Sequence, residues 1–380
     1  MSDRMYPTPR STSEIKNIPS PDESIEAFRA DLERIYGDMP QAADIAHAGT
    51  TALADADYHA RHWQSSEPGS LSPGSLAHKR AVSRMFRDTF NPYRPSVIDW
   101  PRLDPDTLRR ITSLPIWDIA VETEGKARLR MAAYAATIAD PDMKDAIARN
   151  AWEENRHKEV LSRLVVSYGI PMAKEPPYIT PRDTEWAYMV TGFSECVDSF
   201  FAFGLFELAK RSGLFPVELV ETFEPVMQEE CRHILLFANW LAWHRATLPL
   251  WKRPWFETRV LGVWLFLAWE RIGMVRSMDA DGNMREQDAN FTVSGAKDVS
   301  SIDVSLRELL GICLDENERR FAGYDARLRR PRMMPALSRC LRYVLPRSKT
   351  PTVAASRPNL VEKVGGLCFA GLLVLYARTM

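Results

Sequence analysis

Two short segments carry the same arrangement of acid and base: Glu-Glu-Asn-Arg-His at 153–157 and Glu-Glu-Cys-Arg-His at 229–233. On a helix, residues three or four apart share a face, so Glu154 with His157, and Glu230 with His233, each present a carboxylate beside an imidazole. Such a pair offers a metal ion one oxygen and one nitrogen. Two pairs, completed by one carboxylate from each of two further helices, would make a dinuclear site. The carboxylates are available: Glu122 and Glu124 precede the first pair, and Glu195 precedes the second. Each interval suits one helix running up, a turn, and the next helix returning to the same level. Spacing alone leaves neighbours open, since Glu153 and Glu229 stand four residues before the same histidines, and Glu122 competes with Glu124.

Either segment alone would be an ordinary solvated turn. Around the pairs, however, Leu161, Val165, Val226, Phe237 and Trp240 recur at helical spacing, so the charges point toward a core. Buried carboxylates without partners are costly, and metal coordination is a usual way to keep them. Carboxylate and imidazole donors without thiolate suit two iron ions, with manganese as the alternative and zinc also accepted by these donors. No His-Glu-x-x-His segment supports zinc-protease chemistry. The five cysteines form no Cys-x-x-Cys, which argues against a zinc ribbon, a Cys-ligated iron–sulfur cluster or a disulfide framework. Cys196 and Cys231 each follow a candidate ligand directly, about 100° round the helix, and read as packing residues. His47, His59, His62, His78 and His244 show no useful ligand spacing to the pairs.

The elements that must position these groups are helices. Period-2 alternation is almost absent, and the fold class reads as all-α. Helices are expected at 117–139, 142–168, 183–212 and 216–246, as two antiparallel hairpins joined by the proline-bearing connection 169–182. That is one arrangement of a four-helix bundle. Residues 1–22 read as a flexible lead-in and 23–116 as an N-terminal helical extension, with helices at 23–36, 41–62 and 76–89 and an irregular, proline-rich stretch at 91–106. Residues 247–380 read as a C-terminal extension: a Trp-rich helix at 254–275, a polar loop at 277–299, a helix at 301–322, then a basic segment and an apolar tail at 364–377.

The paired motifs resemble those of acyl-carrier-protein desaturases, as does "TGFSECVDSF" around Glu195. "TEGKARLRM" at 123–131 is similar to the first-helix motif of rubrerythrins. Over residues 117–246 the chain thus resembles the ferritin-like di-iron carboxylate superfamily. The resemblance implies a ferritin-like bundle with Glu124, Glu154, His157, Glu195, Glu230 and His233 as metal ligands and catalytic residues. It selects Glu154 and Glu230 from their doublets and favours Glu124. Asp198 stands where the desaturases place a threonine. It would be an extra ligand or an acceptor that fixes a histidine tautomer.

The implied activity is an O2-dependent oxygenase, hydroxylase or desaturase, with O2 as co-substrate. No flavin or NAD motif is present, so electrons would come from a separate electron-transfer protein. "FFAFGLF" (200–206), with Phe200, Phe201, Phe203 and Phe206, opposite Ala127 and Ala135, could wall an apolar pocket for a small apolar or lipid-like substrate. Lys+Arg and Asp+Glu nearly cancel, 49 against 50, which predicts no nucleic-acid partner. The N-terminus shows no apolar signal segment and the cysteine usage fits a reducing cytosol, so the expected location is cytoplasmic. No stretch reaches the roughly 18 uncharged apolar residues that span a bilayer. Tryptophans clustered over 240–269 and a basic run over 327–349 suit peripheral contact with the inner face of a membrane, or a homodimer interface. Two other classes compete with the oxygenase: ferroxidase, storage or peroxide-scavenging metal handling, and a non-catalytic helical membrane-surface protein.

Overall fold

A computed structural model describes residues 57–90, 98–277 apart from Pro115, Pro176 and Leu214, and 304–345 of the 380-residue chain. The expected lead-in at 1–22, the helix at 23–36, most of that at 41–62, nearly all of the loop at 277–299 and the tail at 364–377 lie outside the described residues, as do His47 and Cys368.

The described chain is helical, with one isolated bridge between Trp63 and Tyr324 as its extended pairing. Ten helices are named here: α1 (Leu76–Asp88), α2 (Pro105–Thr112), α3 (Trp117–Thr137), α4 (Pro141–Ser167), α5 (Thr184–Ser212), α6 (Val217–Glu221), α7 (Glu224–Thr247), α8 (Arg253–Ser277), α9 (Leu306–Phe321) and α10 (Met333–Val344). Their starts are written in side chains. Asp140 accepts from the Met143 N–H ahead of Pro141, and Asp183 accepts from the Trp186 N–H, each satisfying an otherwise orphaned helix donor. α5 stops at Gly213, whose φ of 64° is the left-handed conformation that ends helices at little steric cost to glycine.

Three details differ from the sequence reading. The helix expected at 216–246 is broken into α6 and α7, because Pro225 is tolerated in the first turn of α7 but would clash inside a continuous helix. α2 begins in the last two residues of the stretch expected to be irregular and runs on to Thr112. Asp104 caps it through the N–H groups of Asp106 and Thr107, and Pro105 occupies the first turn, where its missing N–H costs nothing. α10 forms inside the segment read only as basic.

α3, α4, α5 and α7 close a ring of contacts: α3 on α4, α4 on α7, α7 on α5, and α5 on α3. α1 packs on α4 and α7, α9 on α5 and α10, and α8 on α5. The aromatic core lies toward one end of the ring, where Trp240 meets Tyr134, Tyr188 and Phe237. α5 and α7 approach closely at Gly192, where any Cβ would collide with the Phe237 ring. A second cluster, with Ile111, Trp117, Leu164 and Leu219, closes the other end. The polar residues described next lie between these two apolar layers.

α5 is long and apolar enough to cross a membrane by length and composition, but half of its apolar window is buried inside the protein. It also carries Glu195 and Asp198. The tryptophans expected as one cluster are divided: Trp240 and Trp264 are core residues, whereas Trp251, Trp255 and Trp269 are exposed. The basic run is partly used internally. Arg327 donates to the carbonyls of Ser65, Glu67 and Gly69 and pairs with Asp325, and Arg330 donates to the carbonyls of Phe321 and Tyr324.

Candidate metal centre

Four buried or nearly buried side chains from α4 and α7 converge: Glu154, His157, Glu230 and His233 each offer one ligand atom, all within 4.8 Å of one another. The two imidazoles lie nearly parallel, with centroids 5.2 Å apart. Glu124 approaches from α3, its carboxylate 3.9 Å from His157 Nδ1. Glu195 comes from α5 and lines the same cavity as Glu124, Glu154, His157 and Glu230.

The neighbouring glutamates take a different position. Glu153 reaches across to α7, where its Oε2 is 2.8 Å from His233 Nε2 and its Oε1 accepts from Arg232 at 2.6 Å. Glu229 makes the reciprocal crossing to α4, with Oε2 at 2.8 Å from His157 Nε2 and Oε1 accepting from Arg156 at 2.5 Å. Each motif therefore supplies both an imidazole and the carboxylate that holds the other motif's imidazole. A carboxylate on Nε2 places the proton there and turns the Nδ1 lone pair inward. Arg232 is fully buried and fixed further by Thr89 Oγ1, the Phe86 carbonyl and the Phe86 ring.

The inward atoms are the ones without hydrogen-bond partners. His157 Nδ1, His233 Nδ1 and both oxygens of Glu195 are inaccessible to solvent and form no hydrogen bond. His233 Nδ1 is 2.7 Å from Glu154 Oε1, and His157 Nδ1 is 3.1 Å from Glu230 Oε1, yet neither contact has hydrogen-bond geometry. His157 and His233 belong to the set of four whose ligand atoms lie within 4.8 Å of one another, whereas Glu124 and Glu195 stand outside that set. Unsatisfied buried polar atoms are costly, and here they are of the types that bind divalent cations. The residues therefore fit a metal ion. The four carboxylates of Glu124, Glu154, Glu195 and Glu230 would balance the charge of two divalent cations.

Protons fill the same electrostatic role in the metal-free chain. Burial, then the nearby Glu154 carboxylate, pushes both Glu124 and Glu195 well above the ordinary carboxylate range. Burial opposes charge on the imidazoles, but Glu229 and Glu230 outweigh it at His157, which is raised well above its usual value. Glu154 and Glu153 do the same at His233, raised to about 9. Burial likewise opposes charge on Glu154, yet His233 and His157 hold it down at about 2. The cluster is an anion-rich pocket that gathers cations, protons included.

A cavity of about 710 Å³ adjoins these groups. Of the expected pocket wall, Phe206 and Ala127 line it, whereas Phe200 and Phe203 are core residues packed away from it and Ala135 is wholly buried. Asp198 also lines the cavity and accepts from Ser194 Oγ at 2.8 Å. Ser199 donates to Glu230 Oε2 at 3.0 Å, and Asn150 donates to Glu154 Oε1 at 3.2 Å. Glu122 pairs with Lys126. Cys231 is buried against the Arg320 carbonyl, and His244 faces Glu185.

Sequence reasoning missed the crossed braces, although a signal for them was present. Both motifs read Glu-Glu-x-Arg-His, and repetition of the first Glu and of the Arg, as well as of the pair, marks four further residues with a shared task.

Compared with protein-family models, with curated proteins and with solved structures, the chain matches none.

Proposed function

We propose that the chain is a ferritin-like di-iron carboxylate oxidoreductase, an O2-dependent oxygenase, hydroxylase or desaturase acting on a small apolar or lipid-like substrate. The observation that carries this reading is the convergence of Glu154, His157, Glu230 and His233, with both Nδ1 atoms unpartnered, at the wall of a mostly apolar cavity that the unpartnered Glu195 carboxylate also lines. In this reading the ring of α3, α4, α5 and α7 is the ferritin-like bundle. Glu124, Glu154, His157, Glu195, Glu230 and His233 hold the metals, and manganese remains the alternative ion.

Iron bound there would supply dioxygen reduction coupled to substrate oxidation, with electrons from a separate protein. This chain's own residues would do the rest. Glu153 and Glu229 hold the imidazoles in the ligating tautomer. Ser199 and Asn150 orient Glu230 and Glu154. Ile119, Leu161, Leu164, Phe206 and Phe223 line the cavity and would exclude water from around an apolar substrate. The exposed Trp251, in the turn before α8, and Trp255 and Trp269 on α8 support peripheral contact with a lipid surface, since Trp269 also lines the cavity.

The test is anaerobic reconstitution with ferrous iron, followed by O2 addition under visible absorption. Two irons per chain that react with O2 in a fixed stoichiometry support the proposal. Iron that accumulates as mineral favours storage, and a chain that binds no metal removes both readings.

A further inference from the structure

The substrate cavity contains one feature that a purely apolar ligand would not require. Two cationic side chains line it, Lys126 and Arg130. Lys126 is paired with Glu122. Arg130, on α3, makes one long hydrogen bond among the described residues, donating to Thr191 Oγ1 of α5 at 3.4 Å. Thr191 Oγ1 in turn donates to the Ala187 carbonyl, so its lone pairs are what faces the guanidinium. Arg130 is only half-buried, but its surroundings depress its pKa chiefly through desolvation, with Glu270, which lines the same cavity, acting in the opposite direction. No carboxylate among the described residues lies within ion-pairing distance of it. An arginine held at a cavity wall with most of its donors unused is an unfilled anion seat.

We infer that the cavity binds an amphipathic carboxylate, with its head group on Arg130 and its apolar body lying toward the metal centre. Arg130 follows Glu124 by six residues on α3, about 9 Å of helix rise, so head and reacting carbon are separated by several atoms. A planar guanidinium accepts a carboxylate in two parallel hydrogen bonds, which fixes the direction in which the ligand enters. A single arginine opposite Glu270 suits a monoanion; a phosphate dianion would remain under-compensated beside that acid. The apolar residues beyond, with Phe206 and Leu164 among them, then receive the hydrocarbon portion. The inference rests on reading this cavity as the substrate site of the proposed oxidoreductase, and it makes Arg130 the residue that determines which class of molecule enters.

The test uses isothermal titration calorimetry on the full chain, as purified and again after chelator treatment. Decanoate, decanol and decylammonium are the probes. Decanoate should bind in both preparations, and Arg130→Met should weaken it by roughly 10- to 100-fold while leaving decanol unchanged. Arg130→Lys should recover part of the loss. Glu270→Gln, which leaves the guanidinium untouched, should tighten decanoate. Decanoate affinity indifferent to Arg130→Met, decanoate binding that vanishes with the metal alone, or decylammonium binding more tightly than decanoate would each overturn the inference. Unchanged decanol affinity shows that the cavity has kept its shape. If Arg130→Met does not fold, failure of Glu270→Gln to tighten decanoate is the overturning result. Arg130-dependent binding in a chain that takes up no iron would sink the oxidoreductase reading alone. An iron-loaded chain with Arg130-indifferent binding would sink this inference alone.

Discussion

Glu153→Gln isolates the crossed bracing from the ligands themselves. Glu153 is fully buried and serves three partners with two oxygens: Arg232 Nη1 at 2.6 Å and Arg156 Nη2 at 3.5 Å on Oε1, and His233 Nε2 at 2.8 Å on Oε2. Glutamine has nearly the same shape but only one acceptor. If its oxygen stays on Arg232, its amide N–H faces His233 Nε2, which then accepts, and the imidazole proton moves to Nδ1. That is the atom aimed at the metal position. Loss of an outer partner of a metal-bound histidine typically lowers metal affinity by about 10- to 100-fold, or roughly 1.4–2.8 kcal/mol. The metal-free protein should lose a further, separate amount of stability, about 1.5–3 kcal/mol for one hydrogen bond to a charged group. Competition against a chelator of known affinity measures the first, and urea unfolding of the metal-free chain measures the second. Glu229→Gln should behave in the same way through His157 and Arg156. A folded Glu153→Gln variant that binds metal within about threefold of the parent would refute the tautomer argument, since that argument rests on the tenfold minimum.

Two more outcomes follow from the geometry. His157 and His233 are both raised above the ordinary imidazole value when metal is absent, so both carry protons near pH 7 and must lose them to bind a cation. Metal affinity should therefore climb as pH rises from 7 toward about 9, the value at His233. Calorimetry in buffers of different ionisation enthalpy should detect at least two protons released per loaded chain, and none released would contradict the assignment. Gly192→Val should destabilise the fold by about 1–3 kcal/mol, because α5 and α7 meet there with the Phe237 ring where the new side chain would stand. Thermal unfolding checks it, with no effect expected on metal stoichiometry if the variant folds.

The helices were legible because their caps and breakers are local: Asp140-Pro141, Asp183 and Gly213 fix three of the ends within a residue or two. Pro225 decides between a continuous helix and the α6–α7 break, because a proline fits the first turn of α7 but not a helix interior. α2 was hidden because a proline in a first turn and a proline in a loop look alike in sequence, and it is the Asp104 cap that makes Pro105 a helix start. The apolar pocket wall was only half readable. The spacing of Phe200, Phe203 and Phe206 puts aromatics along α5, but which of them faces the metals depends on α9, which covers Phe200 through Leu314 and stands over Phe203 through Arg320. Convergence of the two Glu-x-x-His pairs needed only helical period and loop length. Assigning Glu153 and Glu229 to the opposite histidines needed the crossing of α4 and α7, which no spacing within one helix contains.

The central claim is that residues on four helices hold two metal ions, and counting the ions tests it most directly. After anaerobic loading with ferrous iron and removal of the excess, the full chain should retain two irons by elemental analysis. Glu154→Ala and His233→Ala should each lose that capacity while keeping the helical circular dichroism of the parent. Fewer than one iron per parent chain, or both variants retaining two, would contradict the account.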